Sequence, residues 1–413
     1  MIIGNMLIGQ SGGPTAVINS SLAGAIKEGL NNPCIEKVYG AINGVAGILE
    51  ENLFDFTNET NENLELLKVT PGAALGSVRY YLPDFSSLNS ASEDYEILLS
   101  VFKKYNIRYF FYIGGNDSMD TCNKIARYLK LVDYEAYVIG IPKTVDNDLP
   151  NTDHTPGYGS AIKYVATTMS QIYLDTNSYK KGRVTIVEIM GRDAGWLAAG
   201  AKLSCVNGCA ADLIYLPECP FDVDKFLEDV EKIYRKNQKV LVAVGEGLKT
   251  RDGEYLLKYR HFKTADSFGH LQLGGVAQVL CELVSEKLNL PVRSIELNLP
   301  QRCASTLLSK TDLEEAFGVG EFAVKIATQG ITNKMASIER KYNVTSYSYA
   351  NLESVAKQIK YVNEEYINEE KNNITDKFLD YALPLIQGEV QIPCENGLPK
   401  VYVINKEGAL WKK

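Results

Sequence analysis

Short apolar runs that open into glycine- and acid-rich loops recur along this chain, and they restrict its fold more than any other feature. Residues 107–113 lead into Gly114-Gly115-Asn116-Asp117-Ser118. Residues 136–141 lead into Pro142-Lys143-Thr144-Val145-Asp146-Asn147-Asp148. Val184–Ile189 ends in Met190-Gly191-Arg192-Asp193, and residues 240–244 precede Gly245-Glu246-Gly247. Runs this short and this apolar read as buried strands. They alternate with helical patterns at 92–104, 119–131 and 221–236. Further helices are expected over Lys310–Thr328 and 352–372, and residues 268–286 should join a glycine-rich turn to an amphipathic helix. The polar, Asn-rich stretch 52–65 reads as a surface excursion. Strand–helix alternation predicts an α/β fold: a mostly parallel sheet with helices on both faces.

Ligands of open α/β sheets collect at the carboxyl ends of the strands. These loops supply glycines for phosphate approach, acids for a metal or for proton transfer, and bases for charge, which makes phosphoryl transfer the leading chemistry. At the N-terminus, apolar residues 1–8 are followed by Gly9-Gln10-Ser11-Gly12-Gly13-Pro14-Thr15 and a helical pattern over 16–30. Strand, glycine turn and helix together offer backbone N–H groups and a positive helix end to a phosphate, although a plain tight turn has the same pattern. The loop lacks the Gly-Lys-Ser/Thr of a P-loop, which disfavours a simple nucleotide-binding module.

Asp146 and Asp148 stand two apart, so in extended backbone both side chains point to one side. One can accept a proton while the other holds a metal or orients a group. Thr144 points the same way and can bond a phosphate oxygen. Lys143 is a compact cation suited to a transferring phosphoryl group. Gly191 lets backbone approach a ligand beside Arg192, and Arg183 at the far end of that strand could reach a phosphate in this subunit or a neighbour. Glu246 can accept hydrogen bonds from sugar hydroxyls. Each of these features also occurs in ordinary turns; their density at successive strand ends favours a site.

With 413 residues, 45% hydrophobic and 23% charged, the chain has the composition of a globular protein of two or three domains. A net charge of -8 argues against nucleic acid or an anionic membrane as main partner. The eight cysteines are scattered, and Cys205 and Cys209 lack a second pair at zinc-ribbon spacing. Reduced thiols, no signal-peptide pattern at Met1 and no apolar run near the ~20 residues of a membrane helix lead to the expectation of a cytoplasmic protein.

With these residues assembled, the chain resembles the 6-phosphofructokinase family, which shows Gly-Gly-Asp-Gly-Ser, Pro-Gly-Thr-Ile-Asp-Asn-Asp and Met-Gly-Arg in this order. The resemblance runs from Met1 to about residue 345. It implies two doubly wound domains with mostly parallel sheets and an active site in the cleft between them. Residues 1–159 plus about 301–350 would form the donor domain, and 160–300 plus about 351–413 the sugar-phosphate domain. It implies Asp146 as the base for the sugar 1-hydroxyl. Thr144, Asp148, Met190, Gly191, Arg192 and Glu246 are implied as sugar-phosphate or transition-state contacts. Gly12 or Gly13 would meet a donor phosphate, and Arg79 resembles the donor arginine. Arg293 and Arg302 keep the nine-residue spacing of two 6-phosphate arginines, and Arg183 resembles one lent across a subunit interface. The resemblance further implies Mg2+, with Asn116 and Asp117 as the candidate protein ligands, or pyrophosphate itself together with Asp117 or Asp148, and a homodimer or homotetramer.

Two departures bear on the donor. ATP-using members have glycine at the positions of Asp117 and Lys143. Asp117 adds bulk and negative charge against an α-phosphate, and Lys143 adds a cation. Both are what the pyrophosphate-dependent branch shows. The expected reaction is reversible transfer from pyrophosphate to the 1-hydroxyl of fructose 6-phosphate; the alternatives are ATP as donor, or sedoheptulose 7-phosphate as acceptor. A non-catalytic sugar-phosphate-binding subunit would be expected to lose Asp146, Asp148 or Arg192. Asn116 replaces a common aspartate and is a weaker magnesium ligand. Leu299 replaces a His or Tyr, and Cys303-Ala304 a Gly-Gly. His270 reads as structural, because Arg302 fits the expected spacing better.

Overall fold

The computed structural model describes residues 2–259, 274–341 and 344–404. His270, and the start of the turn expected over 268–286, lie outside them. The strands of the two main sheets are β1 (Gly4–Gln10), β2 (Ile35–Ala41), β3 (Leu53–Asp55), β4 (Ile107–Gly114), β5 (Tyr137–Pro142), β6 (Val184–Ile189), β7 (Leu213–Tyr215), β8 (Val240–Gly245), β9 (Val292–Glu296), β10 (Lys334–Lys341) and β11 (Val344–Asn351). A seven-stranded sheet has the order β11-β10-β5-β4-β1-β2-β3, and a four-stranded sheet the order β7-β8-β6-β9. Neighbours in the smaller sheet are all parallel. In the larger one only the outer strands β3 and β11 run antiparallel.

The alternation of side chains along each strand explains the layering. On β4, Tyr109, Phe111 and Ile113 pack with Leu22 and Ile26 of the helix Ile18–Asn31 and Val319 of the helix Lys310–Thr328. Phe110 and Tyr112 face the opposite way, onto Leu98 of the helix Glu93–Lys104 and Ile125 of the helix Asn116–Leu131. Burying side chains of this size contributes ~1.5–3 kcal/mol each. The smaller sheet repeats the scheme. Val187, Ile189 and Leu241 pack on the helix Tyr158–Asn177. Ile186 and Val242 pack on the helices Val223–Asn237 and Val276–Leu288.

Three expectations are corrected. The 52–65 stretch is a working edge: β3 pairs with β2, and Leu53, Phe56 and Leu64 are buried. The helix expected over 352–372 is confined to Leu352–Val355. Beyond it, backbone N–H groups find partners elsewhere, Lys360 N on Asp148 O at 2.7 Å and Val362 N on Glu218 Oε1 at 3.0 Å. The tail does not stay with the smaller sheet, since Tyr402 and Ile404 pack into the core around β1 and β4.

The loop after β5 is tied to the rest of the larger unit by buried His154. Its Nδ1 lies 2.8 Å from Asp153 Oδ1 and its Nε2 2.6 Å from Glu315 Oε2. Glu315 also accepts from Arg340 of β10 and Thr345 of β11. Burial opposes a charge on the imidazole, but the hydrogen bonds and the fields of Asp153 and Glu315 prevail and lift its pKa from 6.5 to about 9. A raised folded-state pKa gives stability that is fully present below 6.5 and is lost as pH rises through about 9. His154→Gln should therefore be less stable than the wild type at pH 6, with the difference shrinking by pH 9.5. Urea unfolding at both pH values would show a constant difference if His154 were neutral in the fold.

Candidate active site

The carboxyl ends of β1, β4, β5, β6 and β8 converge on one cavity of about 430 Å3. Gly12, Arg79, Asn116, Asp117, Lys143 and Asp146 line it from the larger sheet's side, and Met190, Arg192 and Glu246 from the smaller's. Gly13, Thr144, Asp148, Gly191 and Arg302 complete the set of sequence-selected residues there.

The glycine loop is shaped by cations. Lys143 is buried, and its Nζ donates to Gly13 O at 2.7 Å. A Cβ on Gly13 would stand 2.7 Å from an Arg302 guanidinium nitrogen, and one on Gly12, whose φ is +74°, 3.2 Å from Lys143 Nζ. The glycines thus let two positive side chains reach the loop. Burial pushes the Lys143 pKa down to about 8, with Asp146 opposing.

The acid pair does not sit on extended backbone as its spacing suggested. Asn147 is left-handed, at φ 53°, and Asp146 N donates to Thr144 Oγ1 at 3.1 Å, so the segment is a turn. Asparagine tolerates this conformation better than most residues. Asn147 Oδ1 accepts from Thr155 N at 3.1 Å. Thr144, Asp146 and Asp148 still line the cavity together. Burial raises both carboxyls, Asp148 to about 7 with Asp146 as second cause, while Arg192, Lys143, Arg302 and Arg79 favour the Asp146 carboxylate.

Across the cavity, Arg192 is left-handed at φ 44°. Such backbone persists where the surroundings fix it. Glu246 Oε1 accepts from Gly191 N at 3.3 Å and from Arg192 N at 3.1 Å. Burial, and then Asp146, raises the Glu246 pKa to about 7. Gln301 Oε1 accepts from Met190 N at 3.2 Å. Gln301 was missed by the sequence reading, its only signal being its place beside Arg302.

Asn116 Nδ2 donates to Gln358 O, while its Oδ1 is buried without a hydrogen-bond partner. An orphaned oxygen beside Asp117 fits a hard cation. Among the described residues no three His, Cys, Asp or Glu side chains gather as a metal cage, so most ligands there would have to come from a bound phosphate and water.

Arg183 and Arg293 are brought together, but elsewhere. Thr185 on β6 is opposite Arg293 on β9, and both arginines line a second cavity of about 260 Å3 with Lys181 and Tyr179. Arg293 and Arg302, paired by spacing, line different cavities of this chain.

A family model described as "Phosphofructokinase" matches residues 5–325, well over half of the chain. The chain belongs to the phosphofructokinase family. It is 40% identical over 410 residues to the pyrophosphate–fructose 6-phosphate 1-phosphotransferase of Halomonas elongata, covering 97% of this chain and 96% of that one. It is 39% identical over 423 residues to the enzyme of the same name from Xanthomonas campestris pv. campestris, covering 100% and 99%. A crystal structure described as pyrophosphate-dependent phosphofructokinase from Marinobacter aquaeolei superposes with a TM-score of 0.86 at 37% identity, covering 98% of this chain and 97% of that one. Among the described residues no helix is long and apolar enough to cross a membrane.

Glu246 should act on this family site mainly through the Met190–Arg192 turn. Glu246→Leu would leave two partly buried N–H groups without an acceptor, each at up to the ~1–3 kcal/mol of a fully buried donor. Glu246→Gln keeps an acceptor oxygen and should retain most of the stability. Equal urea midpoints for Glu246→Leu and the wild type would contradict this role.

Proposed function

We propose that this chain moves a phosphoryl group reversibly from pyrophosphate to the 1-hydroxyl of fructose 6-phosphate, giving fructose 1,6-bisphosphate and phosphate. One observation carries the donor assignment. Asp117 and Lys143 line the same cavity as Asp146 and Arg192, with Lys143 buried against the glycine loop. The names of the full-length relatives support the same reading.

In the forward direction the Asp146 carboxylate accepts the hydroxyl proton as the sugar oxygen forms its bond to phosphorus. The bridging P–O bond breaks, and its electron pair leaves with phosphate beside Lys143. Lys143, Arg79 and Arg192 offset the charge that spreads over the transferring group. Asp148, biased toward its protonated form, keeps a second negative charge away from the base. Asn116 Oδ1 and Asp117 would hold a magnesium ion together with pyrophosphate oxygens, and the ion would supply further charge neutralisation. The larger sheet's unit would bind the donor and the smaller one the sugar, in a protein working in the cytoplasm as a homo-oligomer.

Arg302 is proposed to hold the 6-phosphate within its own subunit. Arg183 and Arg293, grouped in their own cavity, are both proposed to be lent to a neighbour's site. Two inactive chains, Arg183→Ala and Asp146→Asn, should then regain activity when mixed, because one active centre in a hetero-oligomer would be intact. No recovery in verified hetero-oligomers would place Arg183 outside any shared site.

Donor choice is tested by kinetics with both donors. The wild type should use pyrophosphate and scarcely ATP. Asp117→Gly should admit ATP weakly, and should lower pyrophosphate turnover less than Lys143→Gly does, because pyrophosphate and Asn116 Oδ1 would still hold the ion. Lys143→Gly should lower pyrophosphate turnover by roughly 100- to 1,000-fold, the usual loss of one charge-stabilising donor. The double variant should use ATP better than either single one. A wild type that prefers ATP would overturn the assignment.

A further inference from the structure

Residues 356–362 lie beyond the span matched by the family model, yet they adjoin the reacting end of the cavity. They connect the two hydrophobic cores: Val355 packs beside the larger sheet, and Val362 packs with the helix Tyr158–Asn177. Lys357 and Ile359 line the cavity itself. At the centre of this strap is Lys360, which the sequence reading passed over. Its backbone N–H donates to Asp148 O at 2.7 Å, and its carbonyl accepts from Trp196 Nε1 at 2.8 Å.

The Lys360 side chain turns beneath the acid turn. Nζ donates to Asp153 O at 2.9 Å, to Thr152 O at 3.2 Å and to Asn147 Oδ1 at 3.4 Å. It lies 5.3 Å from the centre of the Trp196 ring. An ammonium has three donors, and here each finds an oxygen of the loop that carries Asp146 and Asp148. Lys360 does not line the cavity, so it touches no reacting group. A backbone in the left-handed region is held by such external contacts.

We propose that Lys360 is a positioning residue for the base: by clamping Asn147 and the Thr152 and Asp153 carbonyls, it fixes the turn that presents Asp146 and Asp148 to the cavity. The inference rests on the reading of Asp146 as base. Burial pushes the Lys360 pKa down to about 8, so the side chain is predominantly cationic at neutral pH. Its charge also favours the Asp148 carboxylate. Lys143 on the same turn, Arg79, Arg192, Arg302 and Glu246 around the cavity, and Lys360 behind Asp148 act on the acid pair or feel it, and Asp117, Asp193 and Lys357 line the same cavity.

The test is steady-state kinetics of the full chain with pyrophosphate and fructose 6-phosphate across pH, for the wild type, Lys360→Met, Lys360→Gln and Asp146→Asn. Lys360→Met should lower kcat by roughly 10- to 100-fold, the scale of a small misplacement of a catalytic group. Both KM values should stay within about three-fold, as expected when the lost interaction acts on the transition state. The loss of kcat should appear across the pH range, because Lys360 acts on the placement of the turn and its field falls on Asp148, which is already biased toward its protonated form. Lys360→Gln keeps an N–H donor without the charge, so it should regain part of kcat. Unchanged kcat in folded Lys360→Met would overturn the proposal. So would a loss confined to KM, or failure of both Lys360 variants to fold, which would make Lys360 a structural strut. If Asp146→Asn itself retains turnover, the reading of the base fails; if Asp146→Asn is inactive and Lys360→Met is normal, only the role of Lys360 fails.

Discussion

Asp146 and Asp148 are carried out of bulk water on one turn, and burial drives both toward the protonated form. Arg192, Lys143, Arg302 and Arg79 oppose this at Asp146. An isolated buried carboxylate neutralises itself, so Asp146 can stay ionised only beside those cations. The cations are in turn strained by burial and by one another: Arg79 is displaced downward first by desolvation and then by Arg192. No member of the set is independent. That mutual dependence explains why the site draws on both sheets and why its loops are pinned from behind by Glu246 and Gln301.

The strand ends were legible because each combines an unambiguous apolar run with a loop of unusual composition. β6 and the helix Lys310–Thr328 fall where the pattern placed them. The residues selected around Asp146 share one cavity for the same reason: parallel strands deliver their carboxyl ends to one edge. Conformation within the loops was less legible. The spacing of Asp146 and Asp148 suggested an extended segment, whereas a left-handed Asn147 makes it a turn. Local spacing likewise paired Arg293 with Arg302, although Arg293 sits within β9 and Arg302 beyond its end. Lys360 had no readable signal at all. It lies in a charged stretch whose backbone partners, Asp148 and Glu218, are remote in sequence, and no periodicity encodes such contacts.

The strap gives the site a dependence on the order of synthesis. Every strand of the smaller sheet and all but β10 and β11 of the larger precede residue 300, so much of the scaffold is available before the last quarter of the chain exists. Lys360 is not. A chain still being elongated can gather the loops at its strand ends, but the turn bearing Asp146 lacks the Lys360 contacts until the segment around residue 360 emerges and docks. A truncation ahead of Lys360 would keep both sheets' strands and remove the three oxygen contacts that its Nζ makes to Asn147, Thr152 and Asp153.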